Sequence, residues 1–407
     1  MPVRPTVTRQ RPWGVAVVAA LASVTLLAGA CSSSPDSASP PSIATGTAAA
    51  AAAAQVSIDG AGSTDFNPKT PITVKVNGGK LTTVTVTNAA KGNAVKGALA
   101  ADGSTWSSSE PLGYATAYTV VAEATGADGK PVEQKATVKT LTPAAQTYPA
   151  VIPAPPSAGL TFGVGQIIGV SFDHAITNRA AAEKALTVTS TPPQQGAWHW
   201  IDNKTVHYRP QSYWQAGTTV KLDVNLYGVD LGGGVYGKTD RSVTYQIHDS
   251  WIAKADGNTD QMQLLHNGAV VGTMPISLGK DATPTHVGPH VISDKQQQVI
   301  MDSCTYGVCP PAPGAYRSTE YWAERISNDG EFVHENPNTV NQQGSSNVSH
   351  GCINLSPQNA QAFFNQFGLG DVVEVTNSGG PALPLWDTYG DWELSWADWQ
   401  AGSAVHN

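Results

Sequence analysis

Cys352 is the residue best placed to do chemistry in this 407-residue chain. It stands in Ser349-His350-Gly351-Cys352-Ile353-Asn354-Leu355, with a histidine two residues before it and an asparagine two after. A second histidine, His334, lies upstream, separated from Ser349 by fourteen residues. That is enough chain for a loop and a returning strand. Ile353 and Leu355 alternate with Asn354 as on a half-buried strand, so Cys352 is expected where a loop runs into a strand. Gly351 allows close approach of the backbone there.

Such a set suits nucleophilic catalysis by a thiolate. A cysteine is mostly thiolate at neutral pH only beside a base or a cation, and His334 is the candidate base. The amides around Gly351 and Cys352 are candidates for an oxyanion hole. A lone cysteine would read as core packing, because cysteine is among the most buried residue types. A cysteine inside Ser-His-Gly-Cys-Ile-Asn, with a histidine at this distance, reads as a nucleophile.

The spacing from His334 through Ser349 to Asn354 resembles the signature of L,D-transpeptidases with a YkuD-type catalytic domain. The resemblance continues through Met301-Asp302-Ser303, Thr305-Tyr306-Gly307, Gly314-Ala315-Tyr316-Arg317 and Gly390-Asp391-Trp392, roughly residues 249 to 407. It implies Cys352 as nucleophile and His334 as acid/base. It implies an oxyanion hole from His350, Gly351 and the Cys352 amide, with Ser349 and Asn354 supporting the site. Tyr316, Met301 and Glu335 are expected near substrate, with the Glu335 carbonyl orienting the His334 ring. The implied partners are peptidoglycan stem peptides, and carbapenems as acylating ligands of the same thiol. In the family, the cysteine attacks the bond between meso-diaminopimelate and the terminal D-Ala of a tetrapeptide, and the thioester is resolved as a 3→3 cross-link. No cofactor is implied.

Two departures from the family pattern stand out. Relatives often carry Ser after the base histidine, where this chain has Glu335. If the Glu335 carboxylate faces the imidazole, it raises the imidazolium pKa. Relatives also often place a Trp a few residues on, where this chain reads Asn336-Pro337-Asn338. Rival readings fit less well. A sortase needs an Arg downstream of its Cys, and no Lys or Arg follows Arg325. A papain-like endopeptidase places its Cys before its His. An immunoglobulin-like binding protein with an inactive C-terminal domain would leave Cys352 unlabelled by electrophiles.

Charged residues are 13% of the chain, with 40 Gly and 28 Pro, which suits short strands joined by turns. Formal net charge is −8, and residues 1 to 30 hold three Arg and no acid, so the remainder carries −11. That excludes a basic nucleic-acid-binding face and simple adhesion to anionic lipid. Residues 1–31 read as a lipoprotein-type signal: Arg4, Arg9 and Arg11, an apolar stretch from Trp13 to Leu27, then Leu-Ala-Gly-Ala before Cys31. Ala28 stands where such sites usually have Leu. Cys31 is the expected lipid anchor, placing the enzyme on the outer face of the plasma membrane. Ordinary cleavage near Ala30, or an uncleaved anchor, is the alternative.

Residues 32–55, rich in Ser, Pro, Thr and Ala, are expected to be a tether. The fold is expected to be mainly β: two immunoglobulin-like β-sandwiches at 56–148 and 149–248, then a β-rich catalytic domain at 249–378. Ile72–Val76, Leu81–Val86, Tyr118–Ala122 and Ala136–Thr140 alternate as strands in the first module. The second repeats the scheme, and both resemble the immunoglobulin-like domains of mycobacterial members. Spacer modules are the expectation, with His199 and His207 structural. In the catalytic domain, Asn267-Gly268 marks a hairpin turn. Residues 304–325 lack periodicity and are expected to form a long lid. Cys304 and Cys309 could pair in an oxidising compartment, two free thiols being the alternative. No Cys-x-x-Cys is present and no metal site is expected. Pro357–Phe367 reads as a helix capped by Ser356. Residues 379–407, with four Trp, are expected to pack on the catalytic domain.

Overall fold

Alternating β-branched and polar residues build both upstream modules in the same way. The structure is a computed structural model that describes residues 53–405. The signal segment, Cys31 and the tether to residue 52 lie outside the described residues. In the first module the strands Gln55–Ile58, Thr73–Asn77, Thr105–Ser108 and Gly97–Leu99 form one sheet. Gly79–Asn88, Ala117–Gly126 and Pro131–Lys139 form the facing sheet. Inward residues such as Val74, Val86, Trp106, Val120 and Val138 close the core, as alternation across a sandwich demands. The tether ends earlier than expected: Ala54 is buried and Gln55 already lies in a strand.

The second module again packs a four-stranded sheet on a three-stranded one. Ile168, Val170, Trp200, Val206, Leu222 and Tyr245 fill it. Ala145–Thr147 falls before the expected module boundary, yet it pairs in parallel with Val235–Gly237 of the second module. The two modules are also pinned by Tyr114, whose hydroxyl donates to the Gly237 carbonyl (2.7 Å) and accepts from the Gly228 amide (2.8 Å).

Two sheets make the catalytic domain. The first uses β1 (Trp251–Asp256), β2 (Gln261–His266), β3 (Ala269–Pro275), β4 (Gly288–Val291) and, from later in the chain, Val372–Thr376. Asn267 and Gly268, both at positive φ (49° and 82°), turn β2 into β3, the geometry a two-residue hairpin requires. The second sheet runs in order through β5 (Asp294–Asp302), β6 (Arg317–Arg325), β7 (Phe332–Glu335) and β8 (Ile353–Leu355). β7 and β8 are parallel, and parallel strands need a crossover; residues 336–352 supply it. Helix α1 (Pro357–Gln366) follows, its N-cap Ser356 accepting from the Asn359 amide (3.3 Å).

The expected lid is shorter than 304–325, because Arg317–Arg325 is strand β6. Ser318 and Glu320 on one side of this strand line a polar cleft, while Tyr321 on the other is exposed. Its apolar burial is confined to Trp322 and Ala323 near its end, so its period of two is hidden. The remaining loop opens with a 3-10 turn, Ser303–Tyr306, and Cys304 and Cys309 are joined by a disulfide.

The C-terminal segment packs on the catalytic domain through Pro381, Ala382 and the turn Gly390–Glu393, and then leaves it. Its helix α2 (Trp396–Ala401) docks on the second module rather than on the catalytic domain. The buried guanidinium of Arg209 meets the rings of Trp392, Trp396 and Trp399 at 4.8, 5.6 and 4.7 Å. It donates to the carbonyls of Asp391 (3.1 Å) and Leu394 (2.7 Å). Trp399 stacks on His199 and donates to the Ala197 carbonyl, while His207 pairs with Asp391 at 2.8 Å. Both histidines therefore serve this dock. The same segment reaches the catalytic domain through Asp387, whose carboxylate accepts from the Ser327 hydroxyl and the Asn328 amide. Trp386, by contrast, is 67% exposed.

Arg209→Ala removes a stacked cation and its hydrogen bonds from a buried seam. It is expected to lower unfolding free energy by about 2–4 kcal/mol and to open the tail to protease. Urea unfolding and limited proteolysis mapped beyond residue 385 measure both.

Candidate active site

The register of β7 and β8 decides where the chemistry sits. His334 is paired with Asn354 and Val333 with Ile353. Side chains two residues apart share a face, so His334, Asn354 and Cys352 face the same cleft. All three line a cleft of about 290 Å³, together with Met301, Tyr316, Ser318, Glu320, Asn336, Thr339, Val348, Ser349 and His350. A roomier cleft of about 550 Å³ lies between helix α2 and the second module, but no cysteine or histidine lines it.

Cys352 is 8% exposed and His334 is 3% exposed. The His334 ring is oriented from behind: Nδ1 donates to the Glu335 carbonyl at 2.7 Å. Of the two roles open to Glu335, the structure uses the backbone one, and its side chain is not among those lining the cleft. The carboxylate beside the imidazole belongs to Glu320, with Oε2 3.3 Å from Nδ1. Burial pushes the His334 imidazolium pKa down. The hydrogen bonds to Cys352 and Glu320, and the charge of both, outweigh it and carry the value up to about 10. Burial likewise pushes Glu320 up, while the bonds from His334 and Ser318 hold it below its ordinary value. The raised value favours the imidazolium form of a ring that shares its cleft with the sulfur, and a cation beside a cysteine is what makes it a nucleophile.

The loop before Cys352 is fixed at several points. Ser349 Oγ donates to the Cys352 carbonyl (2.6 Å) and accepts from the Gly351 amide (3.1 Å). The Gly351 carbonyl accepts from Thr285 Oγ1 (2.6 Å). Gly351 has φ +125°, a conformation that disfavours any side chain. One expectation changes here. The Gly351 amide is occupied by Ser349, so the oxyanion donor this loop offers is the Cys352 amide, with that of His350 beside it. Cys352 Sγ lies 3.6 Å from the Gly330 carbonyl oxygen.

His350 is exposed at the rim. Lys280 donates to its Nε2 at 3.0 Å, so the ring is neutral with its proton on Nδ1. Burial, then the Lys280 charge, push its imidazolium pKa down. Its ring is 5.5 Å from that of Tyr316. Tyr316 is tied into the lid by Ser303, whose Oγ accepts from the Tyr316 amide (2.8 Å). Met301 packs with Phe332 and Cys352 in a small apolar cluster. Asn354 Nδ2 donates to Thr339 Oγ1 (3.3 Å), and its backbone exchanges bonds with Ser277. The residues that the motif did not reveal are Glu320, Lys280 and Thr285. A polar alternation, Ser318 then Glu320, was the available signal for the first.

The chain is similar in sequence to known proteins. The family profile described as the L,D-transpeptidase catalytic domain matches residues 250–375, and that described as a bacterial Ig domain matches residues 63–230. The chain is 44% identical over 334 residues to L,D-transpeptidase 2 of Mycobacterium tuberculosis, a match spanning 82% of this chain and 81% of the relative. The chain belongs to the L,D-transpeptidase family. L,D-transpeptidase 5 of the same species is 37% identical over 355 residues, spanning 84% of this chain and 75% of that one. The solved structure of the LD transpeptidase LdtMt1 in complex with imipenem is similar at 32% identity and a TM-score of 0.49, covering 56% of this chain and 100% of that one.

In this L,D-transpeptidase, Glu320→Gln removes the charge beside His334 Nδ1. The imidazolium pKa is expected to fall by about one unit or more. The basic limb of the pH profile for thiol alkylation should move down by the same amount. Sign follows from linkage: with the folded value raised to about 10, the stability given by protonated His334 is full below its unfolded value and is lost as pH rises through the folded one. Iodoacetamide kinetics across pH and thermal melts of both proteins measure the two shifts.

Proposed function

We propose that this enzyme forms 3→3 peptidoglycan cross-links through a thioester on Cys352. The observation that supports the reading is a buried cysteine and a buried histidine lining one polar cleft, with a carboxylate beside the imidazole and amide donors beside the sulfur. The thiolate attacks the carbonyl that joins meso-diaminopimelate to the terminal D-Ala of a tetrapeptide stem. The Cys352 amide stabilises the oxyanion. His334 gives its proton to the departing D-Ala amine, leaving the thioester and a neutral imidazole. The side-chain amine of a second stem's diaminopimelate then attacks. His334 takes its proton, and the thiolate leaves. No cofactor enters either half.

Two stems need two approaches to one sulfur. A second cleft of about 260 Å³ lies across Met301 and Tyr316 from the first and shares both residues. Its lining includes Gly330, the residue beside Cys352 Sγ. A carbapenem presents a strained carbonyl to the same thiolate and oxyanion donors, so it acylates Cys352.

The export reading is also proposed: the chain is anchored through Cys31, and the two sandwiches carry the catalytic domain away from the membrane. The support is the basic-then-apolar leader ending at Cys31. Among the described residues no helix is long and apolar enough to cross a membrane.

Incubation with a disaccharide-tetrapeptide, followed by mass spectrometry, is expected to show cross-linked dimers and released D-Ala. Cys352→Ala should abolish both, and His334→Ala should slow acylation by about 10²–10⁴-fold. Tripeptide without dimer would mark a carboxypeptidase instead. Intact mass after carbapenem treatment should show one adduct per chain, absent from Cys352→Ala. Cys31→Ser should move the protein from the membrane fraction to the medium; an unchanged distribution rejects the anchor.

A further inference from the structure

Behind the nucleophile's loop lies a second cluster of titratable side chains that the reaction does not use. His286, Asp329 and Glu331 each present a donor atom within 4.8 Å of the others. Glu331 directly follows Gly330, whose carbonyl faces Cys352 Sγ. The space beside Gly351, where a side chain would project, is bounded by the Glu331 carboxylate.

The two oxygens of Glu331 are used unequally. Oε1 accepts from the amide of His286 (2.9 Å) and from its Nδ1 (3.0 Å). Oε2 is buried and has no hydrogen-bond donor among the described residues. Facing it at 3.5 Å is Nε2 of His290, a fully buried residue whose Nε2 is likewise without a hydrogen-bond partner. The other ring nitrogen of His290 donates to the Gly288 carbonyl (3.0 Å). That bond takes Nδ1, and Nε2 faces the carboxylate oxygen with neither atom hydrogen-bonded. His286 gives its Nδ1 to Glu331, and its Nε2 faces Asp329 Oδ2 at 3.8 Å. A second buried oxygen without a donor, Glu393 Oε1, comes from the C-terminal segment. The Glu393 carboxylate fills the place a side chain at Gly288 would take.

Acceptors facing acceptors in a dry interior are costly unless something positive lies between them. A proton on His290 Nε2 would draw the pair to the 2.7–2.9 Å typical of a charge-assisted bond, so about 3.5 Å is long for it. Two ligands at about 2.0–2.1 Å from one tetrahedral ion stand about 3.3 Å apart. A ring nitrogen held by a backbone carbonyl is also how proteins orient a metal-binding histidine.

We propose that His290 and Glu331, with His286, Asp329 and Glu393 around them, bind a divalent transition-metal ion of the Zn²⁺ class. Imidazole mixed with carboxylate suits such an ion, whereas Mg²⁺ and Ca²⁺ favour oxygen alone. The ion would touch no reacting atom. It would tie the 327–331 turn to the Thr285–His290 segment and the C-terminal turn, fixing the Gly330 carbonyl beside the sulfur. Glu331 and His290 are positioning residues in that scheme.

The test uses the whole purified chain in a Cys352→Ser background, so that the catalytic thiol cannot bind metal. After chelator treatment it is titrated with Zn²⁺ by calorimetry and melted with and without it, with Mg²⁺ as control. One Zn²⁺ per chain is expected. The catalytic-domain transition should rise by about 5 °C at a hundredfold excess over Kd, with no response to Mg²⁺. His290→Gln and Glu331→Gln should each weaken binding at least tenfold. Asp329→Asn lies at the exposed edge, so it tests the site even if the buried variants unfold; it should weaken binding too. No binding by the parent chain, or equal binding by Asp329→Asn and the two buried variants, overturns the proposal.

Discussion

The site depends on keeping a positive charge on a histidine that burial opposes. His334 is 3% exposed, and removing an imidazolium from water favours its neutral form. Two partners reverse that preference: the sulfur of Cys352 and the carboxylate of Glu320. The Glu335 carbonyl supplies direction rather than charge, holding Nδ1 so that the opposite edge of the ring is left for the sulfur. The choice of carbonyl over carboxylate at Glu335 matters for this reason. A carboxylate from the next residue on the same strand would alternate to the opposite face. One from β6, across the sheet, can approach the ring from its own side.

That division explains what was legible in the sequence. His334, Ser349, His350, Gly351, Cys352 and Asn354 lie on two short strands and the loop that joins them, so the pattern was local and readable. The strand alternation of both sandwiches was readable for the same reason, since each inward residue faces a core. Glu320, Lys280 and Thr285 come from other segments, and only the folded sheet brings them to the motif. β6 looked like loop because its first half carries polar residues on the cleft side and exposed ones on the other, with buried residues only from Trp322 on. The four C-terminal Trp announced burial, but not its partner. Arg209 is more than 180 residues upstream, and a cation is the last residue type that hydrophobic patterning would nominate.

The catalytic loop is held rigidly, and its rigidity has a chemical use. Ser349, Thr285 and the Gly351 conformation fix the peptide that joins Gly351 to Cys352. An amide already pointed at a developing oxyanion needs no rearrangement during reaction, and this is where such donors gain most of their effect. Freeing the peptide would leave the cysteine reactive to small electrophiles while weakening stabilisation of the tetrahedral intermediate. Alkylation and acyl transfer are therefore separable functions of the same seven residues.

The same loop is connected to distant parts of the fold by contact. Gly330 lies beside the sulfur, and three residues earlier Ser327 donates to Asp387. Four residues beyond Asp387, Asp391 pairs with His207 and offers its carbonyl to Arg209. The second module therefore grips the segment that braces the back of the active site. Contact alone does not transmit a signal; that needs an element with two arrangements which both ends can bias. What the tail supplies is a brace against opening of the 327–331 turn. This favours reading the second sandwich as more than a spacer, because its Arg209 and two histidines hold in place the segment that bonds the 327–331 turn.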